Sequence, residues 1–286
     1  MEQALEVLDR ESGKIVNDIG IPPCPAILTK LMQEMRNEDP DFAKLGKLIG
    51  GDVSLAAAML KTVNSPFYGL RTKASSVQQA IALLGLRNVA QLVTGLMLRD
   101  AFPGGASAAM EEYWESSAAI AEISAALARE LKCANRDDVY TFALFRDCGI
   151  PVMMGALKEY KLVFPGSKDP GYASVTDFED SCYGINHARV GSQLAQTWLL
   201  PEHICHAVMW HHRYVTDPDA VKIPVTSSRH IALALAAESL YARHKMGTRS
   251  AEWNKGADFA LATLGITEAE FAAAGERAIK EYALSQ

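Results

Sequence analysis

No apolar run in this chain reaches the roughly 20 residues that a membrane-spanning helix needs, so no segment reads as transmembrane. Cysteine is sparse and odd in number, at Cys24, Cys133, Cys148, Cys182 and Cys205, and no Cys-x-x-Cys spacing occurs. Reduced, mostly buried thiols in a cytosolic protein are the expectation. An excess of positive charge is also missing. The net charge is -6 and the pI about 5.7, which argues against a nucleic-acid partner held by phosphate neutralisation. The first 20 residues, MEQALEVLDRESGKIVNDIG, have no apolar core of the secretory type, so no signal peptide and a cytoplasmic location are expected. Alternating strand patterns are absent as well.

What is present is apolar content of 49% over 286 residues, enough to bury a substantial core. The apolar residues recur at helical spacing almost throughout. Leu5, Leu8, Ile15 and Ile19 mark a helix within residues 1–20. Pro25 opens a second, in the manner of a first-turn proline, with Ile27, Leu28, Leu31, Met32 and Met35 as its stripe. Short helices follow over 41–49 and 52–63, the second stopped at Asn64-Ser65-Pro66. Ser76-x-x-Gln79 and Thr267-x-x-Glu270 have capping-box form. Turn-formers at Phe102-Pro-Gly-Gly-Ala-Ser107 mark the best internal boundary, and 158–173 reads as a loop. Long helices are expected over 109–131 and 136–147, with others starting near Ser174, His187, Pro201 and Pro224. The expected fold class is all-α: a multi-helix bundle with a smaller N-terminal helical subdomain. The expected divisions are an N-terminal helix (1–20), an N-terminal half (21–105), a second helical half (106–215) and a C-terminal helical extension (216–286).

A helix turns about 100° per residue, which assigns each polar residue to a face. His211 falls within the arc of Ile204, Ala207 and Val208, and His212 near its edge. His203 and His206 fall on the wetter flank. His187 shares a face with Gly191, Leu194 and Trp198. Arg146 lies on the face of Val139, Phe142 and Ala143, with Asp147 beside it, and Ser116 lines up with Ile120, Ile123 and Leu127. A lone inward histidine is ordinarily a satisfied core residue, and an adjacent Arg–Asp a structural ion pair. Four helices each turning a polar residue inward point instead to one shared cluster.

These residues fall into a familiar order. Phe142-Ala-Leu-Phe-Arg-Asp-Cys-Gly-Ile150 resembles the Leu-Leu-His-Asp-Ile-Gly signature of HD-domain phosphohydrolases, with Arg146 in the place of the histidine. Tyr183-Gly-Ile-Asn-His187-Ala-Arg-Val-Gly191, Trp198-Leu-Leu-Pro201 and His211-His212 resemble its downstream half. Upstream, Ile21-Pro-Pro-Cys-Pro25, Ile49-Gly-Gly-Asp52, Leu60-Lys-Thr-Val-Asn64-Ser65 and Ala80-Ile-Ala-Leu-Leu-Gly85 resemble the HDOD domain, an HD-related output module of bacterial signalling proteins, across roughly residues 20 to 215. The resemblance implies an HD-like bundle. It also implies a metal-ligand histidine where Ser116 stands, the His–Asp pair where Arg146–Asp147 stands, and a closing aspartate on the helix around 230–242. That helix offers only Glu238. His187, His211 and His212 match the additional histidines of members with extra metal ligands.

Arginine stays charged at any working pH and repels a divalent ion. The expected function is therefore a non-catalytic signal-transduction module with a degenerate metal site, in which Arg146 takes over the metal's charge. It would act through contacts with signalling proteins or through a small ligand, with no cofactor expected and a divalent metal at low occupancy at most. No receiver, kinase or cyclase pattern occurs, so input by contact is expected. One alternative is a metal-dependent phosphohydrolase using Asp147, His187, His211 and His212. Another is a pocket of Ser116, Arg146, Asp147 and the three histidines that binds a phosphorylated small molecule without hydrolysis.

Overall fold

The computed structural model describes residues 19–35, 37, 40–65, 68–102, 108–157, 160, 174–215 and 223–285. The expected helix within 1–20, Pro66, most of the boundary at 102–107, the loop at 158–173 (except Tyr160) and the start of the C-terminal extension lie outside the described residues. Among the described residues the regular elements are all helical.

The N-terminal half consists of α1 (Ala26–Met35), α2 (Phe42–Gly50), α3 (Val53–Val63), α4 (Val77–Leu84) and α5 (Leu86–Asp100). Short polar caps start α2, α3 and α4. Asp41 accepts from Lys44 N and Asp52 from Leu55 N, so both aspartates sit just outside the helices they were expected to begin. Pro25 likewise precedes α1, its carbonyl accepting from Leu28 N and Thr29 N. Ser76 caps α4 through Gln79 N, but Gln79 turns its carbonyl to Ser75, leaving the capping box half made. Asn64 does more than stop α3: its side chain pairs with both backbone groups of Ala74, at 2.7 and 2.9 Å.

The second half is built around α6 (Ala108–Leu131), which packs on α7 (Arg136–Phe145), α12 (Val225–Met246) and α14 (Glu268–Ser285). Between them in sequence lie α8 (Gly149–Ala156), α9 (Val175–Tyr183), α10 (His187–Thr197), α11 (Glu202–Trp210) and α13 (Ala251–Leu264). α12 is buried on nearly every side from His230 to Ala237, and its run of small residues lets α6, α7, α11 and α13 all approach it. The two halves meet where α5 packs on α7. There Gln91 Nε2 donates to Asp138 Oδ1, and Trp198 Nε1 reaches Pro22 O. No cysteine pair is bridged. Only Cys148 and Cys205 are buried and Cys182 is exposed, which corrects the expectation of mostly buried thiols.

α7 stops at Phe145, two residues short of the expected end, and this corner positions the site. The chain turns sharply through Arg146, Asp147 and Cys148, held by Cys148 N→Phe145 O at 3.0 Å and Ile150 N→Asp147 O at 2.9 Å. Gly149 then lies against the first turn of α10. A Cβ at Gly149 would sit 2.0 Å from His187 O and 2.8 Å from Gly191 N, so only glycine lets Asp147 come this close to His187.

A Gly149→Ala substitution is therefore expected to cost about 3 kcal/mol, measured by urea unfolding, because the obstructing atoms are backbone. Gly155→Ala, in the same helix with nothing within 4 Å of the added atom, is expected to be neutral or stabilising by up to about 1 kcal/mol.

Candidate functional site

Asp147 and the three inward histidines converge. One ligand-type atom from each of Asp147, His187, His211 and His212 lies within 4.8 Å of all the others. His187 Nε2 is 3.3 Å from His211 Nε2 and 3.2 Å from His212 Nε2. Asp147 Oδ1 is 3.1 Å from His211 Nε2 and 3.5 Å from His187 Nε2.

The opposite edge of each ring fixes its tautomer. His211 Nδ1 faces Val208 O at 2.7 Å, and a carbonyl only accepts, so that nitrogen carries a proton. His187 Nδ1 meets Glu179 Oε2 at 2.6 Å, and the same oxygen accepts from His187 N. His212 Nδ1 meets Glu252 Oε2 at 3.3 Å. Burial pushes the Glu179 and Glu252 carboxyls up, but His187 and His212, with the phenols of Tyr160 and Tyr214, outweigh it and keep both ionised. All three Nδ1 atoms are thus donors, and all three Nε2 atoms present lone pairs to one another and to a carboxylate oxygen.

Four acceptors facing inward repel unless a cation stands among them. In the metal-free protein a proton on His187 answers this. Burial disfavours the charged ring, but Glu179 and Asp147 outweigh it and raise His187 to about 10. Burial pushes His211 down to about 3. A metal ion would serve equally. Tetrahedral ions with bonds of about 2.0–2.1 Å separate their ligands by roughly 3.3–3.4 Å, close to the four spacings just given. Hydrogen-bonded Nδ1 atoms are also what metal-binding histidines require. Four of the six spacings in this corner thus suit one divalent ion, and all lie within 4.8 Å.

The other side of Asp147 is different. Oδ2 accepts from Arg146 Nε at 2.9 Å and Nη2 at 2.7 Å, while Arg146 Nη1 lies 3.0 Å from Glu238 Oε2. All three side chains are largely shielded, at 13, 19 and 13% exposure for Arg146, Asp147 and Glu238. Burial alone would favour neutral forms. Arg146 nevertheless holds Asp147 well below the usual carboxylate range, aided by His187, and the two acids hold the guanidinium charged. A guanidinium thus fills the far side of Asp147.

Ser116 stays out of this arrangement. It is half-buried, and its hydroxyl donates to Tyr113 O of its own helix at 2.9 Å. The α6 residue that the Asp147–Arg146 pair does reach electrostatically is Tyr113, a fully shielded phenol raised by burial and by Asp147. His206 keeps to the wetter flank as expected. His203, half-exposed, instead turns toward Asp138 at 3.4 Å. Glu179, Tyr214 and Glu252 carried no signal in the sequence. An acid in the first turn of a helix, as Glu252 is, is ordinary dipole complementation. Glu238 stood out as the one acid in an alanine-rich run, and its register places it beside Arg146, one turn from Leu235 and two from Ile231.

The family model of the HDOD domain matches residues 21–214. Three solved structures share the fold. A candidate phosphohydrolase from Shewanella amazonensis SB2B is 17% identical, with a TM-score of 0.72 over 95% of each chain. An HDOD domain protein with unknown function from Geobacter sulfurreducens is 23% identical, with a TM-score of 0.69 over 96% of this chain and 95% of that one. A candidate signal transduction protein from Marinobacter aquaeolei VT8 is 19% identical, with a TM-score of 0.63 over 93% of this chain and 58% of that one. An uncharacterised protein of Treponema pallidum (strain Nichols) is 25% identical over 211 residues, and the chain spans 71% of its own length but 39% of that relative. The spaced motifs, the helical architecture and the family match agree: the chain belongs to the HDOD domain family.

Proposed function

We propose that this chain is a regulatory HD-related module that does not hydrolyse phosphate esters, and that Arg146 supplies the charge a catalytic metal would bring. The observation that carries this reading is the guanidinium held between Asp147 Oδ2 and Glu238 Oε2. A metal in such a site polarises a phosphate and lowers the pKa of bound water. Arg146 does neither; it neutralises the two acids and fixes α7 to α12. His187, His211, His212 and Asp147 Oδ1 would hold a single ion, which on this reading braces three helices.

The cavity bordered by Arg146, His211, His212, Tyr214, Ile231, Leu235, Glu238 and Glu252 has a volume of about 20 Å³. That suffices for about one water. Small-molecule pockets run to roughly 300–1,000 Å³, so this cavity is too small for a phosphorylated ligand. This favours signalling through contacts with another protein. The same convergence of Nε2 atoms favours one second reading, a one-metal phosphohydrolase built on Asp147 and the histidines.

Turnover of bis(p-nitrophenyl) phosphate with added Mn²⁺ separates them. The regulatory reading expects no difference between the wild type and Asp147→Ala; Mn²⁺-dependent turnover lost in Asp147→Ala would establish the second. The ion pair itself is tested by Arg146→Met. Removing one partner of a buried pair is expected to cost about 3–5 kcal/mol in urea unfolding. Adding Glu238→Leu should return part of that loss, and a single-variant effect below about 1 kcal/mol would contradict the role given to Arg146.

A further inference from the structure

A second polar cluster lies at the seam between the two halves and shares no residue with the histidine centre. His230, in the second turn of α12, is 0% exposed, and neither of its ring nitrogens has a hydrogen-bond partner. It stacks on Phe142 of α7, with ring centroids 6.0 Å apart and planes at 21°, and meets His203 of α11 at 5.4 Å. Ser227, one turn earlier on α12, donates to His203 O at 2.8 Å and holds α11 and α12 together at this level. His203 Nε2 lies 3.4 Å from Asp138 Oδ2 without a hydrogen bond between them. Asp138 Oδ1 accepts from Gln91 Nε2 of α5, a bond that joins the halves.

We propose that this cluster is an acid-sensitive element of the seam, packed around a His230 ring that must stay neutral. The reason is geometric. The neutral ring already leaves one N–H unpaired in the interior. A second proton would add another buried donor and a full charge, both stripped of water. One carboxylate serves the two rings: its Oδ1 is engaged by Gln91 and its Oδ2 lies against His203, so His230 has no acid of its own. Among the described residues, few charged groups act on His230. His203 of α11 opposes a proton there and Asp138 of α7 favours one, while α6, α13 and α14, which also pack on α12, present none. Burial is the largest influence and, with His203, brings the ring down to about 4.

A histidine in the unfolded chain titrates near 6.5. Between about pH 6.5 and 4 the unfolded chain therefore binds a proton at this position that the folded chain refuses. The contribution to stability is fully present above about pH 6.5 and is lost as the pH falls through that window. The coupling needs no rearrangement of the halves, because it is a difference in proton affinity between the folded and the unfolded chain. It holds whatever the histidine centre binds.

Urea unfolding of the full, chelator-treated chain at pH 7.5 and pH 5 reads this coupling in the wild type, His230→Phe and His230→Gln. Both substitutions fill the site without a titrating ring. The wild type is expected to lose about 30-fold more in its folding equilibrium constant between these pH values than either variant. Equal losses in wild type and variants would overturn the proposal. Should neither variant fold, the wild type decides alone. Its His230 Cε1–H signal, followed by ¹H–¹³C correlation, is expected to remain that of a neutral ring down to pH 5. A titration midpoint above pH 5 in the folded protein overturns the proposal as well.

Discussion

One carboxylate divides the chemistry of this protein. Asp147 gives Oδ2 to a guanidinium and Oδ1 to two imidazole edges. In a low-dielectric setting an unpaired acid is costly, so every neighbouring element has to present positive charge or a donor. Arg146 does so on one side with Glu238 behind it. Protonated His187, backed by Glu179, does so on the other. The helices that meet at this carboxylate, α7, α10, α11 and α12, are the ones whose ends or faces had to be brought into register.

The corner after α7 shows how the fold meets that demand. Arg146 caps α7 with helical backbone angles, and Asp147 follows it in the turn before α8. Gly149 lets α8 run against the backbone of α10, so the start of α10, with His187 at its first position and Asn186 capping it, falls beside Asp147. His211 and His212 follow α11 in the same way, His211 as its C-terminal cap. Asp147 and the three histidines thus come from helix ends, where side chains and backbone groups are free to pair, while Glu179 and Glu238 reach in from helix interiors.

Much of this was legible in the amino-acid sequence. Helical periodicity gave the all-α class, the inward arcs of His187 and His211, and the odd pairing of an inward arginine with an aspartate. The order of spaced motifs carried the family. What escaped was long-range. Ser116 satisfied the periodic argument, yet a serine on a helix readily bonds its own backbone, and it does so here with Tyr113 O. Glu179 and Glu252 look like ordinary solvent-facing acids in sequence; only packing makes them the anchors of His187 and His212. The bond from Arg146 to Glu238 joins α7 to α12, and no local pattern announces it. Periodicity assigns a residue to a face, whereas partners across a bundle depend on which helices touch.

The account stands or falls on Arg146 occupying the place of a metal charge. The most direct measurement is the number of Mn²⁺ ions bound per chain at saturation, counted by elemental analysis after removal of free metal. A single ion at most, with a second gained in Arg146→His, is what the account predicts. Two ions bound per chain with Arg146 in place would contradict it.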